Sequence, residues 1–134
     1  MDKTPSSSLT MKEAVEKTNL SADTIRYYES IGIIEEISRN SGKRVFSKKN
    51  IDQILFVKRM RKAGFGINAL KTYINLIKKD EKSTRTERKN ILISEAQKME
   101  KELLLREESL SFLKKKIKNY EMHEKLNESV FHEL

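Results

Sequence analysis

The sequence predicts a mainly α-helical protein with one small β-hairpin and a long final helix. Charged residues make up 36% of its 134 residues, whereas glycine occurs four times and proline once, and this balance favours helices over strands. Helix-capping residues and apolar residues at helical spacing recur along the chain. One glycine turn lies between two segments that contain β-branched and aromatic residues. Short helices followed by such a hairpin are the layout of a winged helix-turn-helix.

The first predicted helix follows a polar segment. Residues 1–8 contain Pro5 and three consecutive serines, and we expect them to form a flexible arm. Thr10 and Glu13 fit a capping box, in which the threonine oxygen caps the helix and the glutamate reaches back. This pattern predicts a short helix from Met11 to about Lys17, followed by a turn.

The second predicted helix and the hairpin are the most informative part of the chain. Ser21 can cap a helix over Ala22–Ile31, which Gly32 ends. Residues 36–46 hold β-branched or aromatic residues on both sides of a turn at Gly42, which predicts a short hairpin or wing.

Two more helices complete a predicted DNA-binding domain over residues 9–80. Ser47 can cap a third helix that runs to about Lys62, and Ile67–Lys79 forms the fourth after a glycine-containing break. Each carries an apolar stripe that we expect to face a core. The stripe residues are Ile51, Ile54, Leu55, Val57 and Met60 in the third helix, and Leu70, Tyr73, Ile74 and Ile77 in the fourth.

The longest predicted helix covers residues 84–120, and Thr84 with Glu87 fits a second capping box at its start. Nine positions in alternating steps of four and three are apolar or aromatic except for Arg106: Leu92, Ala96, Met99, Leu103, Leu110, Leu113, Ile117 and Tyr120. This seam is typical of a coiled coil and predicts a homodimer. The alternative is that the helix folds back onto its own domain. The tail, residues 121–134, fits either a short amphipathic helix or a frayed end.

Positive charge is concentrated in the predicted domain. Residues 1–82 carry 17 Lys and Arg against 10 Asp and Glu, whereas residues 83–134 carry 11 against 10. Such an excess is typical of a surface that binds a polyanion, because neutralising phosphates releases counterions. The alternative is that the lysines only keep the protein soluble.

The candidate DNA-binding residues lie on the second helix and the wing. The second helix of a helix-turn-helix reads bases from its N-terminal part, where Ser21 and Thr24 precede Arg26. Tyr27 and Tyr28 leave the helix about 100° apart, so we expect one ring to pack inward while the other reaches the DNA backbone. The alternative is that both rings are core residues and Arg26 is only a surface charge. Lys43 and Arg44 of the wing, and Arg61 after it, are candidate phosphate contacts.

Several classes of function have no support in the sequence. There is no cysteine, no apolar run near the roughly 18 residues of a membrane span, and no signal-peptide core, so we expect a cytoplasmic protein without a membrane partner. His123 and His132 have no carboxylate cluster at metal-ligand spacing, and we expect no metal site. No nucleophile–base pair or phosphate loop indicates an enzyme. A coiled-coil adaptor that binds an acidic protein, or DNA architecturally, is the second hypothesis.

Leu9–Ile77 resembles the DNA-binding domain of the MerR family of bacterial transcription regulators. Four motifs carry the resemblance, in order, and the long helix follows them: Thr24-Ile-Arg-Tyr-Tyr-Glu-Ser-Ile-Gly-Ile33, Gly42-Lys-Arg-Val-Phe-Ser47, Ile51-Asp-Gln-Ile-Leu-Phe56 and Arg61-Lys-Ala-Gly-Phe65. The resemblance covers about half of the chain, residues 9–77. Each motif alone is weak evidence, but all four in this order and spacing are specific.

The resemblance implies contacts to bases or backbone from Thr24, Arg26, Tyr27 and Tyr28, and phosphate contacts from Arg44. It also implies a homodimer that pairs through an antiparallel coiled coil and binds inverted-repeat operators. Many members bend and untwist promoter DNA so that RNA polymerase can engage it. Phe46 stands where the family often has tyrosine, so a hydroxyl contact from the wing is lost or unused.

The chain departs from the family in the part that senses an effector. The metal-responsive branch uses cysteines, which this sequence lacks, and the drug-sensing branch often adds a large domain where this chain has residues 121–134. We therefore expect neither a cysteine-bound metal nor a bulky effector domain, and no cofactor. Three modes of control stay open: a small apolar or aromatic ligand near Phe56 and Tyr73, a protein that engages the tail, and constitutive action.

Overall fold

The computed structural model describes residues 8–122 and confirms the mainly α fold class with a small antiparallel hairpin and a long last helix. The elements are α1 Met11–Thr18, α2 Ala22–Ser30, β1 Arg39–Asn40, β2 Lys43–Arg44, α3 Lys48–Lys62, α4 Ile67–Lys79 and α5 Arg85–Met122. The chain divides into two compact units between Leu92 and Ile93. Nearly all of the predicted arm and tail, together with His123 and His132, lies outside the described residues.

The predicted caps account for the starts of the first three helices. Thr10 and Glu13 form the expected capping box of α1, and the Ser21 hydroxyl accepts from the Thr24 N–H at the start of α2. Ser47 caps α3 and forms a reciprocal pair with Asn50. Because each cap satisfies N–H groups that the helix itself cannot, these local residues fix where the helices begin.

The core of the N-terminal unit joins the four short helices and the base of the wing. Its fully buried side chains include Ala14, Ile25, Phe46, Ile54 and Leu70. The apolar stripes of α3 and α4 largely point inward as predicted, but the prediction for Leu55 was wrong, since its side chain is 38% exposed. The loop after α2 adds three buried isoleucines that the periodic pattern did not identify: Ile33, Ile34 and Ile37.

The hairpin is shorter than the predicted span of residues 36–46. Only Arg39–Asn40 and Lys43–Arg44 form strands, paired as Arg39 with Arg44 and Asn40 with Lys43. Side chains bind the backbone of the first segment: the Ile37 N–H donates to the Glu29 carboxylate over 2.7 Å. One further backbone bond joins the Val45 N–H to the Ser38 carbonyl, and Phe46 pairs with Leu9 in an isolated bridge.

The turn of the wing has a left-handed backbone. Ser41 and Gly42 have φ values of 52° and 78°, as a two-residue hairpin turn with positive φ at both central positions requires. Gly42 accommodates this conformation without strain, whereas most residues with a Cβ do not. The predicted placement of Gly42 at the turn is therefore confirmed, and the turn keeps Lys43 and Arg44 adjacent at the wing.

The helix ends differ slightly from the prediction. Helix α2 ends at Ser30, one residue early, because Ile31 acts as the C-cap and Gly32 follows with φ 78°. Before α5, which begins at Arg85, the Thr84 hydroxyl donates to the carbonyls of Leu76 and Asp80. Thr84 therefore links the end of α4 to the start of α5.

Helix α5 has 38 residues, about 57 Å at 1.5 Å per residue. Large seam side chains are exposed along it, including Leu103 at 60% and Leu113 at 55%. Apolar residues outside the seam are exposed as well: Ile93, Leu104, Leu105 and Phe112. Large apolar side chains exposed in this number are typical of an interaction site.

Candidate nucleic-acid interface

The start of α2 presents two hydroxyl groups that bind each other. The Ser21 Oγ lies 2.8 Å from the Thr24 Oγ1 and also accepts from the Thr24 N–H over 3.1 Å. Ser21 is exposed and Thr24 is half-buried. Both candidate residues are thus held at the N-terminal end of the helix, the part of a recognition helix from which bases are contacted.

Arg26 lies one turn further along α2 and is paired within the helix. Its Nη1 is 2.8 Å from the Asp23 Oδ1, and the two side chains are 48% and 95% exposed. An exposed pair of this type contributes little to stability, so a phosphate or a guanine edge can displace the aspartate at small cost. The pair therefore holds the guanidinium in an extended position without burying it.

The two tyrosines divide as their angular offset predicts. Tyr28 packs into the core and is only 7% exposed, whereas Tyr27 is 52% exposed. The ring centroids lie 6.3 Å apart. Tyr27 thus offers its ring and hydroxyl to a ligand, while the role of Tyr28 in this structure is packing that supports the helix.

The wing cations lie against the last turn of α2. The Arg44 Nε is 2.8 Å from the Glu29 Oε1, and the Arg39 Nη1 donates to the Gly42 carbonyl over 3.0 Å. Burial raises the pKa of Glu29, but the Ile37 N–H and Arg44 outweigh that effect and hold the pKa below its ordinary value. Glu29 is therefore an anion that joins the wing to α2. Phe46 follows the wing in the chain and anchors it to the core, since its side chain is fully buried.

These elements surround one pocket of about 340 Å³ that is lined with cations. Five cationic residues line it, namely Lys12, Arg26, Arg39, Lys43 and Arg44, together with Thr10, Met11 and Gly42. None of the described residues in this lining is acidic. We call it the cation-lined pocket. It brings together the predicted contacts Arg26, Lys43 and Arg44, and its charge is suited to a phosphate.

Three residues of this site were not predicted from the sequence: Lys12, Arg39 and Glu29. Lys12 lies in the first turn of α1, and the first helix of a helix-turn-helix crosses the DNA backbone. Counting the hairpin register outward from Gly42 would have placed Arg39 opposite Arg44. No local signal indicated Glu29, because its partners are eight and 15 residues away.

Arg61 does not join the cation-lined pocket. It is exposed at the end of α3, where its Nη1 donates to the Phe65 carbonyl over 2.8 Å. Nearby Lys58 donates to the Thr18 carbonyl over 2.7 Å and closes the end of α1. These contacts give both cations a part in the fold, and a phosphate contact from Arg61 stays a prediction.

A second pocket lies between α3, α4 and the loop after α2. Its volume is about 540 Å³, and its apolar lining consists of Ile33, Phe56, Val57, Ile74 and Ile77. Charged groups surround this lining, among them Glu35, whose pKa is lowered by its hydrogen bond with Lys49. Tyr73 stacks on Phe56 with centroids 6.4 Å apart. The region predicted for a small ligand thus contains a pocket of suitable size.

Across residues 8–122, no helix is both long and apolar enough to cross a membrane. The same stretch contains no group of three or more His, Asp or Glu residues placed to hold a metal ion.

The helix-turn-helix formed by α1 and α2, the cation-bearing hairpin and the pocket between them define a winged helix-turn-helix DNA-binding domain. The family model described as "MerR HTH family regulatory protein" matches residues 9–76. The chain belongs to this family of transcriptional regulators.

Similar proteins support the assignment. The chain is 36% identical to the HTH-type transcriptional regulator AdhR of Bacillus subtilis, over 68% of this chain and 65% of that protein. It is 31% identical to the uncharacterised HTH-type transcriptional regulator YyaN of Bacillus subtilis, over 82% of this chain and 88% of that one. The mercuric resistance operon regulatory protein of Bacillus cereus matches at 35% identity, over 54% of this chain and 56% of that protein. The chain thus spans 65% of the length of AdhR and 56% of the length of the mercuric regulator.

Solved structures show the same fold. A MerR family regulator from Listeria monocytogenes superposes with a TM-score of 0.74 at 41% identity, covering 86% of this chain and 87% of that one. HiNmlR, a MerR family regulator that lacks the sensor domain and was solved bound to promoter DNA, superposes with a TM-score of 0.68. Its identity is 21%, over 85% of this chain and 86% of that one, so this likeness concerns the fold alone.

Proposed function

We propose that the protein acts as a homodimer that binds an inverted-repeat operator in promoter DNA and regulates transcription there. The cation-lined pocket carries the proposal, because it gathers five cations from α1, α2 and the wing. Ser21, Thr24 and Tyr27 lie on the same recognition helix and supply the groups that can reach bases and backbone. Tyr28 supports them from the core.

The second copy is proposed from the exposed seam of α5. One copy buries too little of this apolar surface, and an antiparallel partner helix would cover it with the same side chains. Two recognition helices related by a two-fold axis would then meet half-sites about 34 Å apart or a multiple of that distance. In this proposal residues 9–80 bind DNA and residues 84–120 pair the copies.

The DNA contacts are tested by removing two cations at the site and two elsewhere. The test variant carries Arg26→Ala and Arg44→Ala, and the control carries Lys115→Ala and Lys118→Ala, which are exposed and off the seam. Both lose the same charge. We expect the test variant to bind an operator duplex at least about tenfold more weakly than the control. Equal affinities at matched salt would reject the assigned contacts.

Footprinting tests the symmetry and the mode of action. A regulator of this kind protects one palindromic site, and we expect a fluorescence-transfer assay on end-labelled duplexes to report bending of that site. HiNmlR is a relative in fold that was solved with promoter DNA. Uniform protection along the duplex would favour an architectural DNA-binding protein instead.

The effector and the cellular setting are part of the same proposal. The apolar pocket between α3 and α4 is our candidate for a small apolar or aromatic effector, and a melting-temperature screen with Phe56→Ala as the control tests it. The curated relatives quoted above are bacterial transcription regulators, a class without catalytic activity. We expect the protein to work beside the chromosome in the cytoplasm and to catalyse no reaction.

A further inference from the structure

Glu29 is an acidic residue in the middle of a surface that otherwise suits a polyanion. Its Oε1 accepts from the Arg44 Nε over 2.8 Å, and its Oε2 accepts from the Ile37 N–H over 2.7 Å. The side chains of Glu29 and Arg44 are only 12% and 19% exposed. Both oxygens are therefore used, and they join the end of α2 to the loop before the wing and to β2.

The wing needs such a counter-charge. Arg39 and Arg44 are direct partners in the hairpin, and like charges opposite each other destabilise a strand pair. The two cations both act on Glu29, Arg44 through the ion pair and Arg39 through its charge. Glu29 thus offsets the repulsion that would otherwise separate the two strands.

The position of Glu29 also relates the wing to the recognition helix. Glu29 lies three residues after Arg26, so both side chains lie on neighbouring positions of one face of α2. Arg26 and Arg44 line the same cation-lined pocket. A guanidinium has five N–H donors, and the bond to Glu29 uses the one on Nε, so Arg44 can hold Glu29 and a phosphate together.

We infer that Glu29 is a positioning residue for DNA binding, which locks the wing to α2 so that Arg44 and Arg26 meet the DNA backbone as one unit. This inference rests on the proposed function. It predicts a change in DNA affinity that is opposite in direction to the change expected from charge alone. By charge alone, removing an acid from this surface would strengthen binding to DNA, whereas loss of positioning weakens it.

A double-mutant cycle tests the inference with the full chain and an operator duplex. The four proteins are the unchanged protein, Glu29→Gln, Arg44→Ala and the double variant. Glutamine keeps one oxygen for the Ile37 N–H, but it loses the charge and places an NH2 group where the second oxygen accepted from Arg44. We expect Glu29→Gln to weaken binding about tenfold when Arg44 is present, and not to weaken it when Arg44 is absent.

A matched control and a direct measurement complete the design. Glu36→Gln removes a nearby exposed acid, and we expect affinity that is unchanged or tighter. Exchange of the Arg44 Nε–H, followed by NMR, should be slow in the unchanged protein and fast in Glu29→Gln. Equal or tighter DNA binding by Glu29→Gln would overturn the inference, and so would the same loss in both Arg44 backgrounds.

Arg44→Lys keeps the test decisive if Glu29→Gln folds poorly. Lysine retains the charge but lacks the planar fork that can hold a carboxylate and a phosphate at once. We expect a loss of several-fold for Arg44→Lys, and unchanged affinity would overturn the inference. Failure of the unchanged protein to bind any operator would reject the proposed function itself, which is a separate outcome from failure of the cycle.

Discussion

The two units of the chain differ in how far their apolar side chains are buried. The N-terminal unit buries its large side chains, including Ile25, Phe46 and Ile54, and presents cations on its surface. Along α5 beyond Leu92, most large apolar side chains are exposed, by 44% at Ile93 up to 66% at Met122. The first unit has a hydrophobic core of its own, whereas the second carries an exposed apolar seam of the kind that pairs with another helix. One chain therefore combines a unit with a buried core and a helix whose apolar side chains are left exposed.

The largest effect should come from disrupting the exposed apolar seam of α5. Leu110→Glu with Leu113→Glu places two charges in the seam, and we expect a dimer to become a monomer in analytical ultracentrifugation. Operator affinity should fall by at least about 100-fold, because one recognition helix loses the avidity of two. Ser111→Glu, between them but off the seam, is the control. A dimer that survives the double substitution would place the interface elsewhere.

Substitutions in the core of the N-terminal unit should change the free energy of unfolding. Ile54→Ala empties a fully buried position, and we expect a loss of about 2–5 kcal/mol in the free energy of unfolding. Leu55→Ala next to it removes a side chain that is 38% exposed and should cost less than about 1 kcal/mol. Urea denaturation followed by circular dichroism measures both. Similar costs at the two positions would contradict the described packing.

A smaller effect on the free energy of unfolding should distinguish a serine that caps a helix from a serine on an exposed helix surface. Ser47→Ala removes the side-chain cap of α3 and should lower the free energy of unfolding by about 1 kcal/mol. Ser111→Ala lies on exposed helix and should change it by less than about 0.5 kcal/mol. The same denaturation experiment compares them. If the two serines prove equivalent, α3 does not depend on its cap.

The smallest effect should be a dependence of stability on pH. The pKa of Glu29 is below its ordinary 4.5 in the folded protein, so its ion pair stabilises the fold above that pH. This contribution is lost as pH falls through the lowered pKa and Glu29 takes up a proton. The difference in unfolding free energy between the unchanged protein and Glu29→Gln should therefore shrink as pH falls below 4.5. A difference that stays constant from pH 7 to pH 3 would argue against the ion pair.

Local patterns in the sequence predicted the parts of the fold that depend on neighbouring residues. Helix α4 covers the predicted Ile67–Lys79, and the caps at Thr10, Ser21 and Ser47 form because each involves residues three positions apart. The two tyrosines separate because adjacent helical residues diverge by about 100°.

Contacts between distant residues could not be predicted in this way. Arg44 reaches Glu29 across 15 residues, and the side chains of Glu29 and Gln53 accept from the backbone N–H groups of Ile37 and Glu35 in the segment before the wing. These bonds depend on how the loop after α2 packs, which no periodicity records. The candidate site was thus predicted in its helix and wing cations, but not in the acid that joins them.

The bond between the Lys58 Nζ and the Thr18 carbonyl has a consequence for the order in which the protein forms. It spans 40 residues and ties α3 to the end of α1, with the whole of α2 inside the closed loop. Helix α2 has nine residues, which is too short to persist in water by itself. We therefore expect α2 to be stable only when α3 is also present, so a chain truncated before Lys58 should not form the recognition helix.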